Sequence, residues 1–125
     1  MKWPIAIAAL AIIILACGGK VPDEKTLLDQ AQKYQSTENY SQACDLYEKL
    51  IKHYPNSDYR YKAIFMVGYM QLENLKNPKK AKKMFQQLIK EYPNCDLADD
   101  STVLLNIAES GKDITSALQD SIDRH

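Results

Sequence analysis

The chain has 125 residues, 46% of them hydrophobic and 26% charged, with 16 Lys and Arg against 16 Asp and Glu. That leaves room for one small domain plus an N-terminal extension, and not for two domains. Formal neutrality excludes a nucleic-acid binder, which needs a basic stripe, and an acidic solvating tail, while low Gly and Pro exclude fibrous and low-complexity classes.

The first element in chain order is a targeting segment. Lys2 precedes Trp3-Pro4, and Ile5 to Ala16 then run without a charge. A run of about a dozen residues is too short to cross a bilayer core of ~30 Å as a helix, so residues 1–16 read as a signal peptide. The run ends in Ile14-Leu15-Ala16-Cys17, followed by Gly18-Gly19-Lys20. This resembles the lipobox of bacterial lipoproteins. The resemblance implies a cut between Ala16 and Cys17, diacylglycerol on the Cys17 sulfur and an acyl chain on its amino group, with 17–22 as the lipidated cysteine and tether. Gly18 after the cysteine, in place of Asp, resembles the pattern of lipoproteins sorted to the outer membrane. The alternative is an ordinary signal followed by an incidental cysteine.

From residue 23 to 125 the pattern changes. Apolar residues recur at spacings of three and four, as in Leu27, Leu28, Ala31, Tyr34 and in Ala43, Leu46, Tyr47, Leu50, Ile51, which is the period of an amphipathic helix. No segment alternates like a strand. Asp23, Asn39, Ser57, Asn77, Asp96 and Asp113 are placed to cap helix starts, Pro78 suits a first turn, and Pro55, Pro93 and Gly111 lie where helices end. The expectation is six helices, over 24–36, 40–53, 60–75, 78–91, 97–110 and 114–123.

The stretch NYSQACDLYEKLIKHYPNSD matches NPKKAKKMFQQLIKEYPNCD, pairing Ala43 with Ala81, Tyr47 with Phe85, Leu50 with Leu88 and Pro55 with Pro93. A helical pair repeated at this distance cannot bury its apolar face alone, so the copies stack as a solenoid. Ala31, Tyr34, Ala43, Tyr47, Leu50 and Pro55, with Gly68, Ala81, Phe85, Leu88 and Pro93 in the second unit, resemble the tetratricopeptide repeat. The resemblance implies an all-α, right-handed superhelix of about three helical hairpins. Gly68 to Ala81 is one residue longer than Ala31 to Ala43, which blurs the phase of the third helix around Gln71 and Leu72. The phrases FMVGYMQLENLKNPKKAKKMF and IKEYPNCDLADDS further resemble tetratricopeptide lipoproteins of bacterial envelopes. Relatives of that kind include the repeat lipoprotein of the outer-membrane barrel-assembly machine and the periplasmic repeat protein that accompanies the Tol-Pal system. Together these imply a lipid-anchored, periplasm-facing adaptor at the outer membrane, binding a protein or peptide in envelope assembly or maintenance. A permanent structural subunit of a larger envelope complex is the alternative.

Candidates for chemistry are few. His53 and His125 have no partner in sequence for acid–base or nucleophilic work, Cys44 and Cys95 stand far apart, and Asp96, Asp99 and Asp100 lack the glycine-centred loop of a calcium site. The expectations are therefore no catalytic residue, no metal, no cofactor beyond the acyl chains, no small-molecule substrate and no nucleic acid. Helices 40–53 and 78–91 run side by side, with Cys44 near the start of one and Cys95 past the end of the other. That separation exceeds the ~7 Å limit for a disulfide, so none is expected. The repeat resemblance implies that the first helix of each pair, at 24–36, 60–75 and 97–110, lines a concave groove while the second faces the convex side, and it carries the partner groove to Lys25, Leu28, Gln32 and Gln35 in the first unit and to Lys62, Phe65, Tyr69 and Glu73 in the second. Phe65 and Tyr69, one turn apart, read equally as groove anchors or as packing residues. Lys76, Lys79, Lys80, Lys82 and Lys83 surround the start of the fourth helix, where positive charge opposes the helix dipole. They read as a solvated edge, with an acidic partner, anionic lipid or lipopolysaccharide phosphate as alternatives.

Overall fold

A computed structural model describes residues 19–124. The signal peptide expected over 1–16 and the lipidation expected at Cys17 lie outside the described residues. Six helices follow one another: α1 (Glu24–Ser36), α2 (Tyr40–His53), α3 (Arg60–Glu73), α4 (Pro78–Glu91), α5 (Ala98–Glu109) and α6 (Ile114–Asp123). There is no strand among the described residues.

Three of the six expected caps form. The Asp23 carboxylate accepts from the Thr26 N–H at 3.0 Å, the Asn77 carbonyl oxygen from the Lys80 N–H at 3.2 Å, and the Asp113 carboxylate from the Ser116 N–H at 2.7 Å. Pro78 occupies a first-turn position of α4, where its missing N–H costs nothing. Asn39 precedes α2, but its side-chain amide donates instead to the Thr37 hydroxyl at 2.9 Å. Ser57 and Asp96 lie short of the helices they were expected to cap, because a turn intervenes and Tyr59 and Leu97 hold the cap positions. The Ser57 hydroxyl accepts from the Tyr59 N–H at 3.0 Å within that turn, and donates to the Glu24 carboxylate at the start of α1.

The helices pack in chain order, each against the next, closely from α1 to α5 and only loosely between α5 and α6, so that two helical hairpins are fully packed. Leu27 and Ala31 of α1 meet Ala43, Cys44, Tyr47, Leu50 and Ile51 of α2 and Ala63, Ile64, Val67 and Met70 of α3 in one core. Ala81 and Phe85 of α4, Leu72 of α3 and Ala108 of α5 extend it toward the C-terminus. The last helix is different: α6 has no buried residue and leaves Leu118 and Ile122 exposed. Tyr34, counted among the repeat positions, is also exposed, and nothing among the described residues covers that end of the stack. Cys44 and Cys95 are both free, Cys44 buried and Cys95 half-buried. Burial, with the negative charge of Glu48 next, pushes the Cys44 thiol up to about 11, so it is a packing group and not a nucleophile.

The extra residue between Gly68 and Ala81 falls in a turn. Three residues join α1 to α2 and four join α3 to α4. Each turn has one left-handed residue, Glu38 at φ 62° and Lys76 at φ 52°, and each closes with a backbone bond into the preceding helix, Asn39 N–H to Tyr34 C=O at 2.8 Å and Asn77 N–H to Gln71 C=O at 2.7 Å. The helices on either side therefore keep the same phase in both hairpins, and Gln71 and Leu72 are buried.

Between α3 and α4 the contact distance is set by Gly68. A Cβ built there would lie 2.8 Å and 2.9 Å from two ring carbons of Phe85, which is itself fully buried. Gly68→Ala is expected to destabilise the fold by roughly 1–3 kcal/mol, since a ring packed on all sides cannot step aside. Thermal unfolding followed by circular dichroism reads this, and an unchanged midpoint would mean that the two helices can part without cost.

Candidate functional site

Because α1 and α3 keep one phase, the residues on their common open side are related position by position. Leu27 and Ile64 are both fully buried, Leu28 and Phe65 both half-buried, and Gln32 and Tyr69 both exposed. Between them runs an open groove of about 1000 Å³. Leu28, Gln32 and Gln35 line it from α1, and Lys62, Phe65, Met66, Tyr69 and Glu73 from α3. Tyr40 and Tyr47 form part of its floor from α2, and Tyr59, Asp96 and Leu97 close it from the turns before α3 and α5.

Seven of the eight residues expected in the groove are thus brought together. Lys25 is not among the lining residues: it lies almost a full turn before Leu28, and its ammonium pairs with Asp29 at 2.7 Å along the exposed side of α1. The contribution expected from 97–110 also shrinks, since only Asp96 and Leu97, just before α5, reach the groove. Tyr40, Tyr59 and Met66 were missed. Met66 follows Phe65 directly, so a wider groove stripe would have included it, whereas Tyr40 and Tyr47 sit on a helix assigned wholly to the opposite face.

The groove combines a ring-walled apolar surface with neutral hydrogen-bonding groups. Phe65 stacks on Tyr69 with centroids 6.4 Å apart and meets buried Phe85 edge-on at 6.0 Å. Phe65 is therefore both a packing residue and a groove wall, while Tyr69 is more than one-third exposed and projects into the groove. The Tyr47 hydroxyl donates to the Gln35 side-chain carbonyl at 3.0 Å. Burial first, and the neighbouring Cys44 second, raise the Tyr47 phenol above its ordinary value, so it stays protonated as a donor. This bond turns the Gln35 amide so that its NH₂ faces away from the Tyr47 hydroxyl.

The charged side chains of the groove are few and mixed in sign. Lys62 lies 5.9 Å and 5.7 Å from the ring centroids of Tyr59 and Tyr61, a cation–π pairing that holds the ammonium at one end. Glu73, at the other end, accepts from the Ile114 N–H at 3.3 Å and so ties α6 to α3. No group of three or more His, Cys, Asp or Glu among the described residues could hold a metal ion. The arrangement can bury an apolar or aromatic side chain against rings and satisfy a peptide's polar groups with amides and hydroxyls.

Truncation separates the two aromatic roles. Phe65→Ala is expected to cost roughly 2–3 kcal/mol of stability by opening a hole beside Phe85, and Tyr69→Ala to stay within about 1 kcal/mol. Urea unfolding of the two variants checks this, and equal losses would put Tyr69 in the core.

The family model described as Tetratricopeptide repeat matches residues 25–57 and 62–94, together more than half of the chain. The first match spans nearly all of α1 with α2 and the second most of α3 with the whole of α4, each ending in the turn that follows. Neither a curated protein nor a solved structure matches the chain. Repeats of this kind are generally non-enzymatic scaffolds that bind protein partners. With both matches falling on the hairpins that build the groove, the chain belongs to the tetratricopeptide-repeat family.

Proposed function

We propose that the chain is a lipid-anchored adaptor of the cell envelope, held at the outer membrane with its repeats in the periplasm, and that it holds a protein partner through the groove between α1 and α3. The observation that carries the binding role is the groove itself, in which Leu28, Phe65, Met66 and Tyr69 lie within reach of one ligand beside the amides of Gln32 and Gln35. Aromatic side chains in such a cleft bury large area at little rotamer cost, which suits them as anchors for a peptide segment. Support for the anchor is the run Ile14-Leu15-Ala16-Cys17 followed by Gly18-Gly19. None of the described helices is long and apolar enough to cross a membrane, so attachment would fall to the acyl chains on Cys17. Two or more acyl chains hold a protein firmly where one does not.

A second reading, permanent assembly into a larger envelope complex, is favoured by Val103, Leu118 and Ile122, which are exposed on α5 and α6. The exposed positions of α2 and α4 do not extend that apolar surface, since every one of them, from Ser41 to His53 and from Lys79 to Glu91, is polar or charged.

Two measurements test the proposal. A photo-crosslinker at Gln32 should capture a distinct envelope protein in the native host, with capture reduced at least about tenfold by Tyr69→Ala, as expected for loss of an interface anchor. Crosslinks confined to a position such as Leu118 would favour the permanent subunit instead. For the anchor, the mature chain should begin at Cys17 and carry acyl mass, and Cys17→Ser should abolish both. An unmodified chain beginning elsewhere would remove the anchor and leave the groove reading intact.

A further inference from the structure

The lysines around α4 are not spread over the surface. Between Glu73 and Glu91 the chain has six lysines and no acidic residue, although its formal net charge is zero. Two of the six are spent on neighbouring helices: Lys80 pairs with Glu48 of α2 at 2.6 Å, and Lys82 with Glu109 of α5 at 3.6 Å. Glu91, the nearest acid at the far end of α4, is bonded by Arg60 and Gln87. The other four, Lys76 in the turn before α4 and Lys79, Lys83 and Lys90 on the helix, remain exposed and outside any ion pair among the described residues.

At 100° per residue, Lys79, Lys83, Gln86 and Lys90 fall within a sector of about 60°, opposite the buried Ala81, Phe85 and Leu88, and form one line ~16 Å long. Exposed Lys49 and Lys52 occupy the C-terminal half of α2, the helix to which the Lys80–Glu48 pair binds α4. Local stability does not account for the pattern, since Lys79 sits in the first turn of a helix, where the macrodipole disfavours positive charge.

We infer that this line of lysines on α4, with Lys49 and Lys52 of α2, is a docking face for the anionic headgroups of a lipid bilayer. The face has one acid, Asp45, a turn before Lys49, against five lysines that are in no ion pair among the described residues, and the complement of that excess is a dense array of negative charges. An acidic protein is the poorer fit. Structured protein interfaces need a desolvated anchor and are depleted in lysine, and this face has no exposed aromatic or large apolar side chain and no arginine among its basic residues. Lysine is a mobile, hydrated point charge, suited to a fluid surface that offers no fixed geometry. The inference goes beyond the adaptor reading and does not depend on lipidation of Cys17, because it rests on the folded repeats alone.

The test is lysine acylation of the full chain, read residue by residue by mass spectrometry. It compares vesicles of phosphatidylcholine with vesicles in which part of that lipid is replaced by phosphatidylglycerol. Lys79, Lys83, Lys90, Lys49 and Lys52 should be protected several-fold by the anionic vesicles and not by the neutral ones, while Lys25 on α1 should react alike on both. Protection should disappear at about 1 M salt, where the screening length falls to ~3 Å. The triple variant Lys79→Gln, Lys83→Gln, Lys90→Gln, which alters only exposed side chains, should lose the salt-sensitive part of anionic-vesicle binding, about fivefold per lysine, and expose Lys49 and Lys52 again. Retention on neutral vesicles reports the N-terminal segment separately, so protection on anionic vesicles without such retention would support the face and count against the anchor. Equal reactivity of the stripe on both vesicle types, or protection only when an acidic protein is added, would overturn the inference.

Discussion

The distance at which the two helices of a hairpin meet governs the rest of this structure. In the second hairpin that distance is fixed by the missing side chain of Gly68, against which the ring of Phe85 lies closer than any Cβ would allow. Ala31 and Tyr47 hold the corresponding places in the first hairpin, and both are buried. A small residue and a ring thus recur at equivalent buried places, and in the second hairpin, where they touch, the consequences pass outward. Phe85 meets Phe65 edge-on, Phe65 stacks on Tyr69, and Tyr69 stands in the groove. The groove's aromatic wall is the outer end of a row of rings that begins in the core, so its geometry is inherited from close packing and not from loops.

A second constraint fixes where the chain enters each hairpin. The hydroxyls of Tyr54 and Tyr92, equivalent residues just past α2 and α4, reach back to the beginning of their own repeats. Tyr54 donates to the Pro22 carbonyl at 2.8 Å, and Tyr92 accepts from Arg60 at 3.1 Å. Arg60 also donates to the Ile51 carbonyl at 3.0 Å and to Glu91 at 2.8 Å, joining the end of α2, the start of α3 and the end of α4. Partial burial acts to raise the pKa of Glu91, yet the bonds from Arg60 and Gln87 and the charge of Arg60 outweigh it and hold the carboxyl below its ordinary value. A carboxyl depressed in the folded state stabilises the fold above its unfolded pKa, and that contribution is lost as pH falls through the lower folded value. The clasp is therefore intact at neutral pH and weakens only in acid.

Helix number and order and the repeat offset were legible because they follow from apolar spacing and from self-similarity. The matched stretches place Ala43 beside Ala81 and Tyr47 beside Phe85 whatever the loops do. The placement of the extra residue was not legible. A one-residue excess between Gly68 and Ala81 could have rotated α3 by 100° or lengthened a turn, and composition does not distinguish these outcomes. Burial does: rotating α3 would drive Tyr69 into the core and expose Met70, so the turn with left-handed Lys76 absorbs the excess instead. Ser57 and Asp96 misled for a related reason, since a good capping residue one or two positions early serves a turn equally well. Tyr40 and Tyr47 were assigned to the wrong side because face assignments by repeat position ignore how far a long aromatic side chain reaches across its hairpin. Arg60 has no like residue one repeat earlier, where Asp23 stands, so self-similarity could not disclose its clasp.

The molecule separates two kinds of interaction in space. In the groove the charges are few, of both signs, and partly engaged by Tyr59, Tyr61 and the Ile114 N–H. What remains is apolar area and neutral hydrogen bonding, which act at contact and are almost indifferent to salt. On α4 the lysines are of one sign and point to solvent, and their field extends over a screening length of ~8 Å at physiological ionic strength. Long-range attraction of this kind orients a body without selecting a shape, whereas the groove selects a shape without acting at a distance. Placing them on opposite helices of the same hairpin, Phe65 and Tyr69 on α3 and Lys79, Lys83 and Lys90 on α4, lets one rigid unit be oriented by charge while its groove stays open to solvent. The Gly68–Phe85 contact joins those two helices, so the spacing that shapes the groove also fixes the charged line relative to it.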